Sequence, residues 1–200
     1  HGSGDYWVVK LNSSGDTVWQ KCLGGSGTDA AYSIQQTLDG GFIVAGESGS
    51  IDGDVRGNHG MWDYWIVKLD SIGDIIWQKS LGGGDEDKAY SIQQTLDGGF
   101  IVAGESKSND SDVSGWHGGF DGYGNPLPDY WVVKLNSAGD IEWQRCLGGS
   151  GADVAYFIQQ TSDSGFIIAG WSSSNDGDVS GNHGGIDYWV VKLDFVGNIE

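Results

Sequence analysis

The sequence predicts an all-β fold, a β-propeller built of four-stranded antiparallel blades, with about 3.5 blades in this chain. Three observations lead there: a long internal repeat, four strand-like runs in each copy, and strands that are apolar on both faces. The tripeptide Asp-Tyr-Trp begins at Asp5, Asp63, Asp129 and Asp187, giving spacings of 58, 66 and 58 residues. The longer middle copy carries a turn-rich insertion near Gly122–Pro128. Other segments recur in step: Trp-Gln-Lys/Arg at Trp19, Trp77 and Trp143, Ala-Tyr-x-Ile-Gln-Gln-Thr at Ala31, Ala89 and Ala155, and Gly-Phe-Ile at Gly41, Gly99 and Gly165. Repetition at a fixed period marks an array of equivalent structural units.

Within the second unit the elements follow in order. Strand A covers 31–37 and is rich in residues that favour extended backbone. Leu38-Asp-Gly-Gly41 is a hairpin turn, because Asp-Gly readily takes positive φ. Strand B covers 42–46 and leads into a long loop. Strand C covers 64–69, Asp70–Gly73 turns the chain, and strand D covers 75–81. Gly82–Gly84 then leads to the next strand A, and no capped helix-period stretch interrupts the series. In strand C of the first unit, Trp7, Val9 and Leu11 line one face, while Tyr6, Val8 and the Lys10 stem line the other. A sheet with one wet face alternates cleanly. These strands do not, so both faces must be covered by neighbours. A β-sandwich array is the alternative.

Counting runs gives strands C and D over 1–23, complete blades over 28–81 and 88–147, and A, B and C over 153–200. The chain stops one residue before the Trp that the repeat demands. Closed propellers have about 4–8 blades. Closure therefore calls for further propeller repeats or a second copy of the chain. His1 is preceded by no Met and no leader, which fits a processed product or a piece of something longer.

The hairpin Asp70-x-x-Gly73-Asp74-x-x-Trp77, repeated at Asn12–Trp19 and Asn136–Trp143, resembles the turn-plus-Trp signature of quinoprotein-like propeller blades. The whole unit is similar to repeats of secreted bacterial and archaeal cell-surface β-propeller proteins. That resemblance spans essentially the full chain. It implies a secreted or cell-surface location and a structural or interaction role. No residue matches a quinone-cofactor ligand, so it implies no enzymatic role.

Composition narrows the partners. There are 36 Gly in 200 residues, far above the usual ~7 per cent, yet ten Trp and only two Pro. This excludes collagen and argues against a disordered acidic tail. A formal net charge of −18 argues against nucleic acid and anionic membrane surfaces. No apolar run is long enough to span a membrane.

The charge is concentrated. The B–C loops 47–63, 105–129 and 171–187, with the D–A loops 24–30, 82–88 and 148–154, hold 17 acidic residues against 3 basic ones. A propeller gathers these loops on one face. The B–C loops share Asp-x-Asp, then Gly and further oxygen donors: Asp52, Asp54 and Asp63; Asp110, Asp112 and Asp121; Asp176, Asp178 and Asp187. Calcium wants six to eight oxygens, and Gly lets such loops curl around it. Calcium is thus the expected ion, while Asx turns explain the same residues without one. Each loop also has one His, with His1 read as the tail of a fourth copy; single His residues spread around a ring suit turn-capping better than zinc.

Seven Trp occupy repeat positions and read as core. Trp62, Trp116 and Trp171 fall in or beside B–C loops, together with Phe120 and Tyr123. Rings beside carboxylates suit a glycan, or a partner at a cell surface. No Gly-x-Ser-x-Gly elbow, phosphate loop or HExxH is present, and no carboxylate pair departs uniquely from the repeat, so no enzyme activity is expected. Cys22 and Cys146 hold equivalent strand D positions two repeats apart and are expected to be free thiols.

Overall fold

The computed structural model describes residues 2–200, so the expectation for His1 lies outside the described residues. Thirteen strands form four antiparallel sheets, and no helix occurs among these residues. The first sheet pairs β1 (Tyr6–Leu11) with β2 (Thr17–Leu23). The second runs in order through β3 (Asp29–Gln36), β4 (Phe42–Ser48), β5 (Asp63–Leu69) and β6 (Ile75–Leu81). The third repeats it with β7 (Asp87–Gln94), β8 (Phe100–Ser106), β9 (Asp129–Leu135) and β10 (Ile141–Leu147). The last holds β11 (Asp153–Gln160), β12 (Phe166–Ser172) and β13 (Asp187–Leu193). These are propeller-like blades stacked in chain order, in an arc that is not closed.

Strands A and C start one or two residues earlier than expected, because Asp29 pairs with Ser48 and Ser48 with Asp63 at the loop end of the sheet. The hairpins follow from their side chains. Asp39 Oδ1 accepts from Thr37 Oγ1 (2.5 Å) and from the Gly41 amide (3.0 Å), with Gly40 at φ 83°. Asn12 Oδ1 accepts from the amides of Ser14 and Asp16, and Asp70, Asn136 and Asp194 do the same in their copies.

The register of β3, β7 and β11 slips at Tyr32, Tyr90 and Tyr156. One extra residue re-aims each ring. The three tyrosines then meet from sheet to sheet as tilted ring pairs, with centroids 5.3 and 5.2 Å apart. The Ser-Ile-Gln-Gln segment joins neighbours directly: Ser33 Oγ accepts from the Ile92 amide and Gln35 Oε1 from the Gln94 amide (2.6 Å). Ser91 and Gln93 repeat this toward Ile158 and Gln160.

Three cores lie between consecutive sheets. Tyr64, Ile66, Ile43 and Leu81 of the second sheet pack on Phe100, Val102, Trp131, Val133 and Leu135 of the third. Equivalent residues fill the other two junctions. One contact recurs in each. Tyr6 meets Trp65, Tyr64 meets Trp131 and Tyr130 meets Trp189 at 4.5, 4.5 and 4.6 Å between centroids. Each phenol donates to the backbone carbonyl of that same Trp at 2.9 Å. Such ring pairs contribute about 0.5–1.5 kcal/mol beyond their buried area. Gly104 makes room for one of these phenols: a Cβ there would lie 2.7 Å from Tyr64 Oη and against the carbonyl of Lys88.

The Trp residues of the repeat are not uniformly core. Trp65 and Trp131 are fully buried, but Trp7 is 70% exposed because no sheet covers its face. Both cysteines are free; Cys146 is buried in the junction, whereas Cys22 on the uncovered first sheet is exposed. Among the described residues, no helix is long and apolar enough to cross a membrane.

Candidate acidic junction site

The D–A loops are runs of Gly and small residues whose amides point inward with no strand partner. Each of three successive amides is received by a different carboxylate. Gly82 N–H donates to Asp112 Oδ2 (3.3 Å), Gly83 N–H to Asp87 Oδ2 (2.8 Å) and Gly84 N–H to Asp110 Oδ1 (2.8 Å). Asp54, Asp29 and Asp52 hold Gly24, Gly25 and Ser26 in the same way, and Asp178, Asp153 and Asp176 hold Gly148, Gly149 and Ser150. The Asp-x-Asp pattern is therefore a clasp between loops, made of charge-assisted bonds from backbone amides to carboxylates. Ser106 Oγ and Ser108 Oγ donate to the two oxygens of Asp87, which anchors it at the foot of β7.

The third Asp of each expected set goes elsewhere. Asp63 opens β5 and turns toward the next sheet, over Gly82. Its Oδ2 accepts from the His59 amide (2.8 Å) and lies 2.8 Å from His59 Nδ1. Its Oδ1 is buried and has no hydrogen-bond partner. Above the Gly82 Cα, the position a Cβ would take lies 2.8 Å from Asp63 Oδ1 and 2.6 Å from Asp87 Oδ2, so only Gly lets the two carboxylates converge. The next junction repeats this with Asp129, Asp153, Gly148 and His117, and Asp129 Oδ1 is again buried and unpartnered. His59 Nδ1 is 3.9 Å from Asp112 Oδ2, and His117 Nε2 is 3.5 Å from Asp178 Oδ2. Each His thus reaches from its own loop to the neighbouring one.

Burial sets the electrostatics. It pushes the Asp87 carboxyl up to about 7, against the serine and amide donors that favour its charged form; the charge of Asp63 adds to the rise. Burial also pushes Asp129 up to about 7, opposed by His117 and reinforced by Asp153. Asp63 is raised for the same reason, with Asp112 adding to it.

Asp121 does not join these residues. It caps its own turn by accepting from the amides of Tyr123 and Asn125, and the equivalent of Asp63 and Asp187 is Asp129. The sequence reading also missed Asp29, Asp87 and Asp153. They recur 58 and 66 residues apart, five residues after the first Gly of each D–A loop, and that spacing could have found them. Among the described residues, no group of three or more His, Cys, Asp or Glu side chains is gathered closely enough to hold a metal as it stands.

The loop aromatics are divided. Trp116 donates to the Leu127 carbonyl (3.0 Å) and meets Phe120 at 5.6 Å. Trp62 lies under Lys88 Nζ (4.9 Å), and Trp171 donates to Tyr156 Oη (3.3 Å). Trp171 stands where Glu47 and Glu105 accept from Tyr32 and Tyr90 in the other copies. Phe120 and Tyr123 are exposed at 63% and 94%.

No family model matches the chain. It is 30% identical over 165 residues to the regulatory protein FlaEY of Caulobacter vibrioides, a stretch that is 80% of this chain and 17% of that protein. The crystal structure of a protein of unknown function from Bacteroides caccae aligns with 100% of this chain and 90% of its own, at 16% identity and a TM-score of 0.26.

Proposed function

We propose that this chain is a non-catalytic repeat module of a secreted or cell-surface protein of the quinoprotein-like blade type, and that its acidic loop face holds calcium and, through it, a macromolecular partner. One observation carries the reading. At two junctions a fully buried carboxylate oxygen, Oδ1 of Asp63 and of Asp129, faces a second carboxylate with no donor to satisfy it. Buried charge of this kind is costly unless a proton or a cation neutralises it. Calcium suits an all-oxygen surrounding with Gly-rich, adjustable loops. Binding would draw the Asp112 and Asp178 loops inward, with water completing the shell.

Calorimetry and thermal melts test this. Calcium at millimolar concentration should raise the melting temperature, and a chelator should reverse the gain. No heat and no shift would end the calcium reading. A carbohydrate-binding role is the second reading, favoured by exposed Phe120 and Tyr123 beside a cleft of about 430 Å³ that includes Asp121, Asn125, Glu86 and Lys107. A glycan array with Tyr123→Ala as control decides it: binding lost in the variant supports the reading, and no hits on any glycan class reject it.

A further inference from the structure

One junction breaks the repeat, and it lies inside the molecule, between the second and third sheets. The B–C loop 105–129 carries the insertion that lengthens the middle spacing to 66 residues. Asp85, Glu86, Lys88 and Lys107 stand where the copies on either side have only uncharged residues. These departures meet in space. Lys107 Nζ lies 2.8 Å and Lys88 Nζ 3.6 Å from Glu86 Oε2, and Lys88 sits over the Trp62 ring. Beside them Met61, Asp85, Glu86 and Lys107 share a cleft of about 430 Å³ with Pro126 and Leu127 of the insertion. The insertion is held in one shape by its own bonds. Asp121 accepts from the amides of Tyr123 and Asn125, the Leu127 amide donates to the Gly119 carbonyl (2.9 Å), and Trp116 meets Phe120 edge-on. Phe120, Tyr123 and, across the cleft, Met61 nonetheless remain exposed.

We propose that this cleft is a single binding site for a neutral oligosaccharide, with Phe120 and Tyr123 as the platform for a sugar ring. The inference rests on the carbohydrate reading above and needs no calcium. A sugar is apolar on its ring face and polar at its edge. The exposed rings match the face, and Asp85, Lys107 and the Asn125 amide match the edge. Charge selects among glycans. The loop face holds 17 acidic residues against 3 basic ones, so it repels uronates, sialic acids and sulfated sugars. Two of those three basic residues, Lys88 and Lys107, are in this place, and both are committed to Glu86, so neither is held ready for an acid. Lys107 keeps further N–H donors for hydroxyls. The same pairing offsets the local negative charge, so a cation gains less here than elsewhere on the face. The cleft volume falls within the range of about 300–1,000 Å³ usual for small-ligand sites. Rings already ordered on a fixed loop lose little freedom on binding.

Calorimetric titration of the whole chain tests this. The probes are neutral oligosaccharides of glucose, mannose, galactose and N-acetylglucosamine, beside acidic oligogalacturonate and hyaluronan fragments. At least one neutral probe is expected to bind, at one site per chain, with the same affinity in calcium or chelator and at low or high salt. Tyr123→Ala is expected to weaken that binding about tenfold or more, and Met61→Ala and Asp85→Ala to weaken it less. Ile51→Ala, on the shorter B–C loop 47–63, is expected to leave it unchanged. All four side chains are exposed, and near-ultraviolet circular dichroism confirms that each variant is folded, with Tyr123→Ser replacing a Tyr123→Ala chain that is not. Binding of the acidic probes alone, several neutral ligands per chain, or neutral binding that is lost in chelator would overturn this inference and leave the carbohydrate reading standing. No binding of any probe, or neutral binding untouched by Tyr123→Ala, would overturn both.

Discussion

The junction between the second and third sheets and the bare face of the last sheet carry nearly the same residues and behave differently. Asp63 is fully buried, and its carboxyl is raised by desolvation. Asp187 has the same His-x-x-x-Asp setting, yet its carboxyl is lowered, chiefly by the amide of His183 donating to it. The His59 side chain is two-thirds covered, whereas that of His183 is 90% exposed. The sign of the shift is therefore set by the neighbouring sheet, not by the motif. Without a neighbour the Asp-His pair is an ordinary turn cap; with one it becomes part of a buried carboxylate pair whose charged form burial disfavours.

Paired substitutions break the comparison most sharply. Trp131→Ala is expected to cost about 3–5 kcal/mol, the usual range for removing a large buried ring, and to lower the melting temperature markedly. Trp7→Ala, in an identical Asp-Tyr-Trp-Val-Val-Lys-Leu segment, should change monomer stability by no more than about 0.5 kcal/mol. Denaturant titration of both variants checks this, and equal losses would contradict the part given to the neighbouring sheet.

Next in size is the response to pH without calcium. Asp87 and Asp129 hold protons more tightly in the folded chain, with carboxyls near 7 against an ordinary 3.8. The folded state therefore binds more protons between these limits. Stability should rise as pH falls from 8 toward 5. Asp97, lowered to about 2 by Thr95 and Lys134 against the effect of burial, works in the other direction. Its contribution is present above pH 4 and is lost as pH falls toward 2. Melting temperature should thus peak on the acid side of neutrality, and saturating calcium should flatten the limb between pH 5 and 8. A melting temperature that rises steadily from pH 5 to 8 would contradict the raised carboxyls.

Smallest is Tyr64→Phe, which removes one phenol bond to the Trp131 carbonyl and should cost about 1 kcal/mol. Tyr188→Phe in the dilute monomer should cost nothing that a denaturant titration can resolve.

Much of the fold was legible because one pattern is written several times. Asp-Tyr-Trp, the Asp-Gly-Gly turn and the Gly-Phe-Ile strand mark blades whose faces must both be covered. The site was legible only in part. Asp52, Asp54, Asp110, Asp112, Asp176 and Asp178 were found as loop acids, but their partners are backbone amides of the D–A loops, which carry no side-chain signal. Asp87 and Asp153 were missed because their burial comes from neighbouring sheets, which one repeat read alone does not display. Trp7 was misread as core for the converse reason: its sequence matches Trp65, but its surroundings do not.

The most direct measurement is calcium titration calorimetry on the chain beside an Asp63→Asn, Asp129→Asn double variant. An Asn amide can donate toward the facing Asp87 or Asp153 carboxylate, so the variant should stay folded and melt higher than wild type at pH 8 in chelator. Wild type is predicted to bind calcium and gain melting temperature, and the variant to lose both responses. Equal calcium binding by the two chains, or none by either, would contradict the account.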